Sequence, residues 1–387
     1  GLVQYQGLGD GTFAVVRSFL ELDSVACGDS SDFPQPAYFL QSFRLPGRRM
    51  DSLVAAHGEG CDHLWVFTPG ADGVLAITGE LKNIDVNALA VGNVLHPIGQ
   101  GPPELVTASL NLGYLEVRRF DPTLGSFEPA ASLQIPVEGG PRSIRLVDWD
   151  RDGWNDLVVV IRFVDKVTLF LNQAGTLHPG ASLGVGRLPR ELEIADFNGD
   201  GSPDLAIVNR YSLDVTVIDG FPGKATFAAL DQVYPVDGTV SGLDVRDYNK
   251  DGYSDVVQLH LASAELSVRL SDTNGLLSPP TFFPLGTHPT AQAVSDVNND
   301  GKPDIVAVDL GGSISVRLGL GDGAFGPEQV YTLPPHLRGG LFALVAADFD
   351  NDGNVDLAAG FVDCRLVFLK GHGDGTFSVA ADYDHPL

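Results

Sequence analysis

The sequence predicts an all-β fold, a β-propeller of four-stranded blades, with seven blades favoured over eight. Three observations predict it. An Asp-rich loop recurs about every fifty residues. Each copy lies between short runs of alternating or β-branched apolar residues, the pattern of strands contacted on one or both faces. Gly contributes 46 of the 387 residues and Pro another 25, a composition of many short elements joined by tight turns. Four-stranded units repeated at this period are the arithmetic of a propeller, which protects its sheet edges by radial repetition. No segment keeps a helical period for several turns, and no apolar run is long enough for a membrane helix.

The elements read in order as follows. Residues 1–20, with the turn Gly7–Phe13 (GLGDGTF), resemble the second half of a blade: either upstream residues complete an eighth blade, or the hairpin packs beside seven. Residues 21–37 read as an insertion loop. Residues 38–136 hold two degenerate copies: Phe43–Val54 (FRLPGRRMDSLV) keeps only Asp51 and places Arg48 and Arg49 in the loop, and His96–Val106 (HPIGQGPPELV) keeps two glycines and Glu104. Residues 137–387 hold five full copies, Asp148–Val160, Asp196–Val208, Asp247–Leu259, Asp296–Val308 and Asp348–Gly360, whose first Asp residues are 48, 51, 49 and 52 positions apart. Later turns such as Gly319–Phe325 and Gly371–Phe377 introduce a last short strand. The whole chain reads as a single propeller domain.

Within each full loop the acids or their amides fall at positions 1, 3, 5 and 9, with Gly at 6. A hard cation such as Ca²⁺ takes six to eight oxygens, and alternate side chains of a curled loop supply them. Position 7 adds a backbone carbonyl, from Trp154, Ser202, Tyr253, Lys302 and Asn354. An EF-hand would require Glu at position 12, where this chain has Val159, Ile207, Gln258, Ala307 and Ala359. The motif is therefore expected in a strand–loop–strand setting. Asp and Gly also favour plain β-turns, but five loops at one period, each with three or four carboxylates, point to calcium. Without a cation each close carboxylate pair would repel by about 1 kcal/mol even in water.

The five Asp-rich loops and the Gly-Asp-Gly-Thr/Ala-Phe turns resemble those of the FG-GAP/VCBS repeat family, which includes the integrin α-subunit head and many secreted bacterial proteins. The resemblance covers nearly the whole chain. It implies a propeller with calcium in the loop joining the first two strands of a blade. The implied ligands are Asp148, Asp150, Asp152 and Asp156; Asp196, Asn198, Asp200 and Asp204; Asp247, Asn249, Asp251 and Asp255; Asp296, Asn298, Asp300 and Asp304; and Asp348, Asp350, Asp352 and Asp356. Five Ca²⁺ sites are expected, and none in the two degenerate blades. Some eight-bladed polysaccharide lyases also resemble this family, which keeps a carbohydrate-active enzyme as an alternative reading.

The balance of 50 acidic against 24 basic residues, formally −26, argues against nucleic acid and anionic membranes as partners of the chain as a whole. Seventeen of those acids belong to the five loops. If alternate connections open on opposite ends of a blade, the other end gathers cations: Arg142, Arg187, Arg190, His288, His336 and Arg338 in the linkers, and Arg162, Lys166, Arg210 (beside Tyr211) and His260 in the loops between second and third strands. Arg142, Arg162, Arg190, Arg210 and Arg338 are the candidate contacts for an anionic or carbonyl-rich protein or glycan partner. The cluster His57-Gly-Glu-Gly-Cys61-Asp-His63 matches no standard zinc spacing. Cys27 and Cys61 form a candidate disulfide in an oxidising setting, with Cys364 unpaired. No nucleophile elbow, zinc-protease helix or phosphate-cradling loop is present. The expected object is a non-enzymatic, calcium-stabilised module for binding, adhesion or assembly, extracellular, cell-surface or periplasmic. Membership as a structural subunit of a larger surface complex is the third reading.

Overall fold

The computed structural model of the chain describes residues 3–7, 13–18, 38–44, 51–57, 63–69, 75–82, 84, 86–109, 113–221, 223–228, 232–238, 240–286, 288–334, 340–348, 352–361 and 366–383. Among these residues there are strands and turns and no helix. The strands form one two-stranded hairpin, Val3–Gly7 with Phe13–Ser18, and seven larger sheets, each contiguous in sequence and antiparallel throughout. The all-β class and the four-stranded units expected from the repeat are thus present. Arg48, Arg49, Cys27, Cys61, His336, Arg338, Asp350 and Cys364 lie outside the described residues.

The chain divides into two compact units. One consists of Ser24–Asp196 and Asp200–Pro235, the other of Gly1–Asp23, Phe197–Gly199 and Val236–Leu387. The first holds four sheets. The first sheet pairs Tyr38–Arg44, Asp51–His57, His63–Pro69 and Leu75–Lys82 in that order. The second runs Ala88–Gly92, Glu104–Ala108 and Tyr114–Asp121, and its fourth place is shared by Ser126–Phe127 and Leu133–Pro136, which both pair with Tyr114–Asp121. The third is Pro141–Val147, Asp156–Ile161, Lys166–Gln173 and Thr176–Gly184; the fourth is Pro189–Ala195, Asp204–Asn209, Asp214–Ile218 and Gln232–Pro235. In the other unit, beside the hairpin, the fifth sheet is Val240–Arg246, Asp255–His260, Glu265–Arg269 and Thr281–Pro284. The sixth is Pro289–Ser295, Asp304–Asp309, Ser313–Arg317 and Gln329–Thr332, and the seventh Leu341–Ala347, Asp356–Phe361, Leu366–Gly371 and Phe377–Tyr383.

The strand sequences explain their burial. Second strands such as Asp156–Ile161 (DLVVVI), Asp204–Asn209 (DLAIVN) and Asp304–Asp309 (DIVAVD) are buried at every position, as β-branched runs covered on both faces should be. Fourth strands, at one edge of each sheet, are mostly exposed or half-buried, as in Thr281–Pro284 and Gln329–Thr332. First strands begin with a register shift at the same place in the third to seventh sheets, between Pro141 and Ser143, Pro189 and Glu191, Val240 and Gly242, Pro289 and Ala291, and Leu341 and Ala343. Three of these starts are Pro, which has no N–H to offer a ladder and is tolerated there.

Within each unit, the first strands of successive sheets lie against one another, and the apolar clusters sit between successive sheets. Trp149, Val158, Val160, Leu169, Leu192, Leu205 and Ile207 fill the space between the third and fourth sheets, where Trp149 meets Phe227 edge-on at 5.2 Å. Tyr248, Val257, Leu259, Ile305 and Phe325 do the same between the fifth and sixth. Each such Val, Leu or Ile contributes about 1.5–3 kcal/mol by leaving water.

Candidate functional site

From the second sheet to the seventh, the described residues of the loops joining first and second strands share one backbone design. Position 4 is left-handed in five of them, at Gly99 (φ 75°), Arg151 (65°), Gly199 (73°), Lys250 (60°) and Asn299 (59°). Position 6 is a left-handed glycine, Gly101, Gly153, Gly201, Gly252, Gly301 and Gly353, at φ between 74° and 94° in this set, a region that a side chain would strain. The carboxylate at position 1 accepts the position 6 N–H: Gly153 to Asp148 at 3.0 Å, Gly201 to Asp196 at 2.8 Å, Gly252 to Asp247 at 2.9 Å, Gly301 to Asp296 at 2.8 Å and Gly353 to Asp348 at 2.9 Å. The position 5 carboxylate accepts from position 7: Trp154 to Asp152, Ser202 to Asp200, Tyr253 to Asp251, Lys302 to Asp300 and Asn354 to Asp352, at 2.6–3.0 Å. These side chains fold the loop onto itself as a series of Asx-turns.

Position 9 does something different. Asp156, Asp204, Asp255, Asp304 and Asp356 are 0–1 % exposed. Asp156 accepts the N–H groups of Trp149 (2.9 Å) and Asn172 (2.7 Å), Asp255 those of Tyr248 (2.9 Å) and Ser271 (2.8 Å), and Asp304 those of Val297 (2.9 Å) and Gly319 (2.7 Å). Asp204 accepts from Gly220 at 2.7 Å and Asp356 from Gly371 at 2.8 Å. Each acid thus ties its loop to the end of the third strand. The two sequence motifs also fit each other sterically. A Cβ on Gly220, Gly319 or Gly371 would lie 2.0–2.2 Å from the carbonyl at loop position 8, so only glycine fits there.

In the Asp148 loop, oxygens of Asp148, Asp150 and Asp156 lie within 4.8 Å of one another. Asp148 Oδ1 is buried without a hydrogen-bond partner. Burial, reinforced by the charges of Asp152 and Asp148, raises the Asp150 carboxyl above its ordinary value. Burial likewise pushes Asp156, Asp255 and Asp304 up to about 6, against the pull of their N–H donors. An orphaned buried oxygen among carboxylates that resist ionisation is the donor set a hard divalent cation satisfies. The loops at Asp196, Asp247 and Asp296 carry Asn at position 3, an oxygen donor without charge. In the last two loops a lysine reaches position 5: Lys302 Nζ lies 3.1 Å from Asp300 and Lys370 Nζ 2.9 Å from Asp352, holding both carboxyls low. Successive loops touch. Ile98 N–H donates to the Gly153 carbonyl at 3.0 Å, an Arg151 guanidinium N–H donates to the Gly201 carbonyl, and Asn299 and Asn354 pair at 2.9 Å.

The degenerate loop of the second sheet solves the same problem without an acid cluster. Glu104, 0 % exposed at position 9, accepts the N–H groups of Val94 (2.7 Å) and Leu95 (3.1 Å), and His96 Nδ1 lies 2.7 Å from its other oxygen. Sequence reasoning missed this pairing, although its signal was readable: a histidine at position 1 opposite a surviving acid at position 9.

At the other end of the third and fourth sheets, the turns after the second strands begin with an Arg-aromatic pair, Arg162-Phe163 and Arg210-Tyr211. Arg162 lies over the Phe163 ring at 5.6 Å, and Arg187 of the preceding linker over the Tyr211 ring at 4.5 Å. Burial, then the charges of Arg190 and Arg162, lower the pKa of Arg210. Arg142 sits deeper, donating to the Asn87 carbonyl at 3.5 Å. Arg145 is bound to Glu193 by two guanidinium nitrogens. His260, expected as a loop cation, corrects that expectation: it is 1 % exposed, its Nε2 is 2.7 Å from Ser267 Oγ, and burial lowers its pKa, so it is a neutral core residue near pH 7.

Comparison with known proteins agrees with this architecture. A family model described as FG-GAP-like repeat matches residues 196–258 and 296–359. No curated protein is similar to the chain by sequence. Among solved structures, BBS1N in complex with ARL6DN is 13 % identical at a TM-score of 0.59, covering 88 % of this chain and 92 % of that one. An Agrocybe aegerita lectin with specific recognition of non-reducing terminal N-acetylglucosamine is 15 % identical at 0.58, covering 97 % and 92 %. The periplasmic gluconolactonase PpgL of Pseudomonas aeruginosa is 16 % identical at 0.55, covering 74 % and 84 %. Such identities carry the fold alone, and that fold is β-propeller-like. Residues 196–258 and 296–359 are therefore FG-GAP-like repeats, the type of repeat that the Asp-rich loops resemble.

Proposed function

We propose that the chain is a non-enzymatic, calcium-stabilised extracellular binding module. Its Asp loops would hold Ca²⁺ as structural pins, and the sheet ends opposite those loops would meet a protein or glycan partner for adhesion or assembly. One observation carries the reading: Asp148, Asp150 and Asp156 converge within 4.8 Å with an unpartnered buried oxygen among them. The position 6 turn and the hydrogen bonds of positions 1, 5 and 9 recur in the loops that start at Asp196, Asp247, Asp296 and Asp348, which is the support for five sites; among the described residues the three-acid convergence itself is in the Asp148 loop. The extracellular or periplasmic location follows from calcium supply, since weak sites stay filled where calcium is plentiful. The candidate ligands are the oxygens at positions 1, 3, 5 and 9 and the position 7 carbonyl.

Isothermal titration of chelator-stripped protein with CaCl₂, alongside melting in calcium and in excess EGTA, tests this. Calcium binding with a raised melting temperature is expected; an unchanged melt would overturn the structural role of the loops. The carbohydrate-active alternative is separated by a depolymerisation assay on the same preparation, and the assembly reading by native mass.

A further inference from the structure

The third and fourth sheets repeat a corner that calcium does not explain. The turn at 162–165 and the turn at 210–213 each open on Arg-aromatic, 48 positions apart, and each closes on a left-handed residue, Asp165 (φ 51°) and Leu213 (φ 55°). The linker between them is pinned to both. Val185 N–H donates to the Asp165 carbonyl at 2.9 Å and Leu188 N–H to the Asp165 carboxylate at 2.8 Å. Arg210 N–H donates to the Leu188 carbonyl, and Tyr211 N–H to the Arg187 carbonyl, both at 3.0 Å, while Arg187 N–H donates to Ser212 Oγ at 2.9 Å. Gly186 lets the linker approach: a Cβ there would sit 2.4 Å from Ser212 Oγ. The corners are therefore one rigid surface.

That surface is unusual for a chain of formal charge −26. Among the described residues, Arg162 and Arg210 have no carboxylate in ion-pair reach, and Arg190 has only Glu191, at 3.9 Å. Asp165, the nearest acid in the turns, already accepts from the backbone of Leu188. Phe163 and Tyr211 are 62 % and 64 % exposed. Guanidinium groups without acid partners fit carboxylates through paired N–H donors, and flat exposed rings fit an apolar ring face.

We propose that Arg162, Arg190 and Arg210, with Phe163 and Tyr211, form a two-subsite groove for an acidic glycan, a pyranose chain bearing carboxylates. The proposal rests on the binding-module reading and names its ligand class. A pyranose uronate brings a carboxylate and a C–H face in one rigid unit, and a polymer repeats them as the two Arg-aromatic corners repeat. An acidic peptide brings carboxylates on flexible stems and no flat face for the rings.

The test uses the full calcium-loaded chain and a hyaluronan octasaccharide in isothermal titration. The comparators are the same octasaccharide with its carboxylates reduced to alcohols, and an octaglutamate peptide. Binding of the acidic octasaccharide, with at least about tenfold weaker binding by the reduced form and by R162Q/R190Q/R210Q, is the expected result. F163A/Y211A should also weaken it, by about three- to tenfold, with the melting temperature of both variants unchanged. No binding, equal binding of the reduced form, or no effect of the arginine variant overturns the proposal. Octaglutamate binding as tight as the glycan, with the aromatic variant unaffected, overturns it in favour of an acidic protein partner. Melting in EGTA on the same preparation keeps the two readings apart. An EGTA-insensitive melt with glycan binding intact fails the calcium role only, and an EGTA-sensitive melt without glycan binding fails this groove only.

Discussion

The loop at His96–Glu104 and the loop at Asp148–Asp156 belong to neighbouring sheets and have nearly the same backbone, yet opposite chemistry. Both turn left-handed at positions 4 and 6, through Gly99 and Gly101 in one and Arg151 and Gly153 in the other. Both bury the acid at position 9 completely and surround it with backbone N–H donors. They differ in what answers that acid on its remaining side. Glu104 has the imidazole of His96 at 2.7 Å, whereas Asp156 has the carboxylates of Asp148 and Asp150. The difference separates two jobs that the motif mixes. The ninth acid shapes the loop in the second to seventh sheets; the acids at positions 1, 3 and 5 belong to the Asp-rich copies alone, where the proposed Ca²⁺ would offset their mutual repulsion.

The largest test of this division is removal of calcium. Excess EGTA is expected to lower the melting temperature by more than about 10 °C, since each filled site at a hundredfold its Kd contributes about 2.7 kcal/mol. Scanning calorimetry in calcium and in EGTA reads it. Next, Glu104→Ala and Asp156→Ala should each cost about 2–4 kcal/mol by stranding buried N–H groups. Urea titrations should show the Glu104→Ala cost to be the same in calcium and EGTA, and the Asp156→Ala cost to be larger in calcium. Equal calcium dependence of the two would erase the comparison.

His96→Ala should cost about 1–3 kcal/mol, leaving Glu104 facing no partner on one oxygen. Pairing it with Glu104→Gln should recover part of that loss in a double-mutant cycle; strict additivity would mean the contact carries no energy. The smallest effect is in pH. In EGTA, Asp156, Asp255 and Asp304 titrate near 6 in the fold, above the ordinary value of 3.8. At these three sites the native state then holds more protons than the unfolded chain between those values, so their contribution to stability falls as pH rises from about 4 to 6. Calcium should reverse the slope, because protons and metal compete for the same oxygens. A urea midpoint that rises across this range in EGTA would contradict the buried state of these acids.

Much of this is legible in the amino-acid sequence. The apolar strand runs and the fifty-residue period announced four-stranded sheets, because a strand covered on both faces needs a continuous β-branched run, as in Asp156–Ile161 and its counterparts. The Asp and Gly positions named the loops residue by residue. Four features were not legible for physical reasons. Position 4 is left-handed with Arg151 and Lys250 in place, so the strain is carried by residue types that do not advertise it. The double role of position 9 depends on N–H groups about sixteen residues away in sequence, Asn172 and Ser271. His260 reads as a surface cation by type and is a core residue by packing. The split fourth strand of the second sheet follows from residues 128–132, five residues that stand opposite Arg118 and Arg119 alone, with the Glu128 and Ser132 N–H groups donating to the Arg119 and Val117 carbonyls at either end.

The contacts between successive loops have a statistical consequence. Position 3 of the second-sheet loop donates to position 6 of the next, and position 4 of that loop, Arg151, donates to the Gly201 carbonyl beyond it. Asn299 and Asn354 make the equivalent link in the other unit. Linked this way, neighbouring loops within a unit act as boundary conditions for one another, as in a one-dimensional lattice with nearest-neighbour terms. On the calcium reading proposed above, occupancy of linked loops would be correlated, so a calcium titration would depart from that of independent sites. The histidine-closed loop of the second sheet has its own answer to the buried acid, and its Ile98 N–H holds the Gly153 carbonyl of the Asp148 loop.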